Sequence, residues 1–153
     1  MIGWKIVTSN AYEYLHRHPD GPFSLAEWSY APTRLEPGIL MHVEETVLVA
    51  LYRLRGLHGS AIYPSKLPSG WARFSGSKTS RHYAGGSQLS IACDVFPAED
   101  VLGCWLKAVS MPEWGGFGVY LDTNRTRLQP GPMLHLDLRE SDRVFWVREK
   151  VGK

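Results

Sequence analysis

The sequence reads as one α+β domain, a central and mainly antiparallel sheet with a few flanking helices, and two observations carry that reading. Apolar residues recur at helical spacing in only two stretches, whereas five short apolar runs bounded by turn residues have the pattern of strands. The composition agrees, since 6 Trp, 7 Tyr, 15 Gly and 10 Pro suit many short elements joined by shaped loops. With 153 residues, 44% hydrophobic and 21% charged, the chain is neither disordered nor a coiled coil. A chain of this size buries roughly 69% of its unfolded surface, so it needs neither a metal nor a disulfide simply to fold. Residues 1–153 are therefore expected to form a single domain, without internal repeat or linker.

Taken in order, Ile39, Leu40, Val43, Val47, Ala50, Leu51 and Leu54 mark an amphipathic helix from Ile39 to His58, ending near Gly56 or Gly59. A strand follows at Ala61–Tyr63. Pro64 to Thr79 is a long loop rich in Ser, Gly and Lys, and long loops in compact domains are often functional. Ile91–Phe96 reads as a strand that turns Cys93 to the core and Asp94 to the opposite side. A second helix spans Ala98–Val109, with Val101, Leu102, Trp105 and Leu106 behind an acidic first turn of Glu99 and Asp100. Phe117–Leu121, Met133–Leu138 and Val144–Val147 complete the strands.

Charge excludes more than it suggests. Seventeen Lys and Arg against 15 Asp and Glu leave +2 with no block of like charge, so no nucleic-acid partner is expected. The longest apolar run, Val47–Tyr52, is far too short to span a membrane, and no membrane partner is expected. The opening Met-Ile-Gly-Trp-Lys lacks the layout of a signal peptide, which points to synthesis in the cytoplasm. Two cysteines, Cys93 and Cys104, are too few for a disulfide framework, and the chain is expected to be a monomer.

Three residues invite metal chemistry: His82, Asp94 and His135. A catalytic Zn2+ takes three protein ligands and keeps a fourth position open, and two imidazoles with a carboxylate suit it. In Met133–Leu138 the leucines share one face while Met133, His135 and Asp137 share the other, so two ionisable side chains point the same way. Taken alone, the pattern also fits ordinary polar residues satisfied near a sheet.

The surrounding motifs add a resemblance. Ser80-x-His82-x-x-Gly85, then Ala92-x-Asp94, then His135-x-Asp137 is similar to the zinc D-alanyl-D-alanine carboxypeptidase family, whose fold is shared with the hedgehog signalling domain. Phe23–Trp28, the element Ser69-Gly70-Trp71-Ala72-Arg73, the glycine turn Gly115–Gly118 and the aromatic Trp146 resemble further family elements in the same order. The resemblance implies a zinc peptidase that cuts an amide in bacterial peptidoglycan peptides, with His82, Asp94 and His135 as ligands and Arg73 steadying the scissile carbonyl or the peptide carboxylate. It further implies a phage or prophage protein that acts on the cell wall after release or as a virion component.

The sequence departs from the family at two places. Gly86–Ser90 reads as an inserted surface loop between His82 and Asp94, and Ala72 is one extra residue before Arg73. The positions where the family carries a general base hold Pro132 and Met133, neither of which accepts a proton. Asp137 is then the candidate base, with a carboxylate that merely orients a ligand histidine as its equal alternative. Glu113 and Asp122 stand behind it. Arg81 and Arg139 read as solvated strand-end arginines, and His16, His18, His42 and His58 as surface or packing residues. Trp71 and Trp114, in Gly/Pro-rich loops, read as groove walls. The missing base also supports a second function, a catalytically silent zinc-binding structural or wall-binding module.

Overall fold

The computed structural model describes residues 10–17, 37–65, 67–85, 88–121 and 131–148. Three α-helices, α1 (Ala11–Arg17), α2 (Glu45–His58) and α3 (Val101–Val109), accompany five strands, β1 (Ile62–Pro64), β2 (Ala92–Pro97), β3 (Gly116–Tyr120), β4 (Met133–Asp137) and β5 (Val144–Arg148). The strands form one sheet in the order β1-β2-β4-β3-β5, the α+β class expected. Three neighbouring pairs are antiparallel, and β5 joins the edge parallel to β3, which makes the sheet mixed.

Period-two alternation sends the two faces of this sheet to different work. Cys93 and Val95 of β2, Phe117 and Val119 of β3, and Leu134 and Leu136 of β4 are buried together with Val47, Leu48, Leu51 and Leu54 of α2 and Cys104 and Ala108 of α3. Cys93 and Cys104 are both free, buried thiols, and burial raises the pKa of each, that of Cys104 to about 12. Large apolar side chains on this face leave the opposite face free for polar groups.

The helix expected from Ile39 to His58 is divided. Pro37–His42 is a 3₁₀ helix, Val43 and Glu44 are extended, and α2 begins only at Glu45. The break occurs because the backbone there pairs elsewhere: Ser90 N–H donates to His42 O at 2.8 Å, Glu44 N–H to Ser90 O at 2.9 Å, and Ala11 N–H to Val43 O at 2.8 Å. Gly59, at φ 76°, ends α2 by donating to Arg55 O, a left-handed cap that glycine adopts without strain. Asp100 opens α3, its side chain accepting from Gly103 N. Among the described residues no helix is long and apolar enough to cross a membrane. Phe23–Trp28, His18 and Asp122 lie outside the described residues.

Candidate metal centre

Strand register assembles most of the site. One row across the sheet runs Asp94, His135, Gly118, Trp146, each directly paired with the next across β2, β4, β3 and β5. Opposed residues on one face have Cβ atoms about 5 Å apart, so the Asp94 carboxylate and the His135 ring meet without distortion. His82 comes from a turn before β2. Its N–H donates to Ser80 Oγ at 3.2 Å and its carbonyl accepts from Arg73 N at 2.8 Å, while Ala84 N–H returns to Arg73 O at 2.9 Å. The serine and arginine of the two motifs thus fix the backbone on either side of His82.

Ser90 locks this turn to the sheet. Its buried hydroxyl donates to Trp71 O at 2.5 Å, and Ile91 N–H donates to Arg81 O at 3.0 Å. The segment 86–90 was expected to be a surface insertion, and that expectation is corrected at its end: Ser90 is 0% exposed and anchors the chain, while Gly86 and Ser87 lie outside the described residues.

Three donor atoms converge. His82 Nε2 lies 3.2 Å from His135 Nδ1, His135 Nδ1 lies 3.1 Å from Asp94 Oδ1, and His82 Nε2 lies 3.3 Å from Asp94 Oδ1. Ligand atoms of a tetrahedral zinc, at about 2.0 to 2.1 Å from the ion, lie about 3.3 to 3.4 Å from one another. The triangle therefore has the size of one face of such a shell. His82, Asp94 and His135 are only 3%, 8% and 8% exposed, and together they can hold a metal ion.

Asp137 stands behind His135. Its Oδ2 lies 2.8 Å from His135 Nε2, which places a ring proton on Nε2 and turns Nδ1 to the triangle. Arg139 grips the same carboxylate with Nη2 at 2.7 Å and Nε at 2.8 Å, and its backbone N–H adds a contact at 3.1 Å. Four hydrogen bonds fill the four acceptor sites of a carboxylate that is 0% exposed. Of the two parts expected for Asp137, this geometry suits the carboxylate that orients His135: all four acceptor sites are filled, and Asp137 does not line the cavity. Arg139, expected to be solvated, is instead bound to Asp137 and lies over the Trp146 ring at 5.8 Å.

Electrostatics follow from this packing. Burial alone would raise the Asp94 carboxyl, but hydrogen bonds from His135 and His82 outweigh it and hold it well below the usual carboxylate range. Burial likewise opposes ionisation of Asp137, and the Arg139 and His135 hydrogen bonds overcome it. Desolvation would lower His135, yet carboxylates at both ring nitrogens push it up to about 9. Two carboxylates bracketing one imidazole call for positive charge, which a proton or a metal cation supplies.

A cavity of about 380 Å³ opens in front of the triangle, lined among others by Arg73, Arg81, Tyr120, Met133, Arg139 and Trp146. Arg73, the sequence candidate, does reach it, its Nε donating to Ser69 O at 2.9 Å. Trp71 and Trp114 do not; they are 0% and 1% exposed members of the core, and the aromatic groups at the cavity are Trp146 and Tyr120. Glu113 is ion-paired with Arg53 of α2 and does not line the cavity. Tyr120 is the residue that sequence reading missed; its signal was the alternation Gly116, Gly118, Tyr120, which puts it on the histidine face.

Fold and site together define an α+β domain with a buried cluster of two histidines and one aspartate that can hold a metal ion. Compared with family models, curated proteins and solved structures, the chain gives no match.

Proposed function

We propose that this protein is a zinc peptidase of the D-alanyl-D-alanine carboxypeptidase type, a monomer that hydrolyses an amide in bacterial cell-wall peptides. The observation that carries the proposal is the donor triangle of His82 Nε2, His135 Nδ1 and Asp94 Oδ1, set at the floor of an open cavity and formed by the motif residues of the family resemblance. Two imidazoles and one carboxylate favour a transition metal over calcium or magnesium. What a zinc ion supplies when bound is Lewis acidity toward a carbonyl oxygen and toward water.

The chain's own groups do the rest. Asp137, held by Arg139, fixes the His135 tautomer and keeps Nδ1 turned to the triangle. Arg73 lines the cavity, and a guanidinium there is suited to hold a peptide carbonyl or carboxylate. A phage or prophage protein, reaching the wall on release or in the virion, accords with this chemistry.

A second reading has an observation of its own. Among the described residues Asp94 is the only carboxylate lining the cavity, and it is already engaged with both histidines. A silent zinc module of the same fold accommodates that shortage. The experiment that separates the two readings adds zinc to the purified protein and follows release of free amines from purified peptidoglycan. About one zinc per chain together with steady amine release is expected. Bound zinc without release would favour the silent module, and absence of zinc from protein never exposed to chelator would dismiss both.

A further inference from the structure

Tyr120 lies on the same face of β3 as Gly116 and Gly118 and pairs with Met133 of β4, two residues before His135. Diagonal neighbours on a sheet face are about 7 to 8 Å apart, within reach of a phenol. Trp146 fixes the position of its hydroxyl. The Trp146 indole occupies the space left by the absent side chain of Gly118, where a Cβ would come within 2.5 to 2.6 Å of Cε2, Cζ2 and Nε1. From there the indole lies 5.3 Å from the His135 ring, centre to centre, and its Nε1–H meets Tyr120 Oη at 3.0 Å.

That contact has a direction. An indole N–H only donates, so the tyrosine oxygen must accept, and its own proton is left over. Among the described residues nothing accepts that proton, and Tyr120 lines the cavity. The other hydroxyls lining the cavity are Thr79, whose Oγ1 pairs with Ser77 Oγ at 2.8 Å, and Ser80, whose Oγ accepts from His82 N and which, like Tyr120, keeps its proton.

We propose that Tyr120 is a catalytic hydrogen-bond donor, its phenol O–H turned into the cavity by Trp146 and hydrogen-bonded to the oxygen that gains negative charge when water adds to the scissile carbonyl, the proton staying on the phenol. The proposal rests on the peptidase reading of the site. A donor already in place when that charge develops needs no reorganisation, which makes it effective at a cavity where the described residues offer no carboxylate besides Asp94. Trp146 is the positioning residue.

The test uses the zinc-loaded full chain and a phosphinate isostere of an alanyl-alanine dipeptide, whose tetrahedral oxyanion mimics the charged state. Tyr120→Phe should bind the phosphinate about 10- to 100-fold more weakly in titration calorimetry, with zinc still at one per chain. On wall peptides its kcat should fall about 100- to 1000-fold while KM stays within about threefold. Trp146→Phe keeps a ring over Gly118 but loses the N–H, and should lower kcat about 3- to 10-fold with KM unmoved.

Unchanged phosphinate affinity and turnover in an active Tyr120→Phe protein would overturn the donor and leave the peptidase reading standing. Weaker phosphinate binding by Tyr120→Phe, in a chain whose wild type cuts no wall peptide, would remove the peptidase reading and overturn the catalytic part of Tyr120, leaving it a donor to a bound oxyanion only. Loss of zinc from Tyr120→Phe, or no phosphinate binding by the wild type, would also overturn the donor. Full turnover in Trp146→Phe would overturn the positioning role.

Discussion

Four donors surround Asp137, and that saturation ties its charge to His135 and not to the cavity. Asparagine at this position keeps the shape but loses the charge that balances Arg139 and the imidazole. Asp137→Asn is therefore expected to weaken zinc binding about 10- to 100-fold, as removing a carboxylate behind a ligand histidine typically does. At saturating zinc, turnover should fall much less. A chelator-competition titration measures the affinity; unchanged affinity with turnover down a hundredfold would restore Asp137 as the proton acceptor. His82, Asp94 and His135 were legible as residues because their motifs are short and lie on or beside strands with clear alternation. The arginine fork on Asp137 was not, because it depends on how the backbone turns after β4 and not on any period. Trp71 and Trp114 misled for a related reason: Gly and Pro around them signal a loop, while the indoles themselves are large enough to be drawn into the core.

At the scale of elements, β3 acts as a gutter. Gly116 faces Asp137 and Gly118 faces His135, and a side chain at either position would collide with the Asp137 carboxylate or the Trp146 indole. Gly118→Ala should displace the indole from its place between His135 and Tyr120. Overpacking of this kind costs about 1 to 3 kcal/mol, so thermal stability should drop and near-ultraviolet circular dichroism from the tryptophan should change, with far-ultraviolet signal retained. Wild-type stability and spectrum in Gly118→Ala would show that the gap at Gly118 is not needed.

All five strands were legible to within one or two residues, since alternation between a leucine-rich face and a polar face is a strong signal. The parallel entry of β5 was hidden, because periodicity carries no strand direction. The break at Val43 and Glu44 was hidden too: its cause is pairing with Ser90 and Ala11, far along the chain. Helix α1 went unread because only Ala11 and Leu15 of it are buried, too few positions to show a period.

For the molecule as a whole, the core and the candidate metal site lie on opposite faces of one sheet, which would separate folding from metal binding. The apolar cluster between the sheet and helices α2 and α3 uses none of His82, Asp94 or His135. The zinc-free chain should therefore stay folded, unlike small zinc modules that collapse on chelation. Bound zinc would still join the His82 turn to β2 and β4, linking residues 41 and 53 positions apart in the chain. Binding only to the native state at zinc a thousandfold above Kd adds on the order of 4 kcal/mol. For a domain of this length that corresponds to a Tm higher by roughly 8 to 16 °C, since each kcal/mol moves it about 2 to 4 °C. Chelator should lower Tm by this amount at unchanged far-ultraviolet circular dichroism at 25 °C, and His82→Ala should show one Tm with or without chelator. Unfolding of the wild type by chelator at 25 °C would mean that the ion is part of the core. An equal chelator effect on His82→Ala would mean that the stabilising ion binds elsewhere.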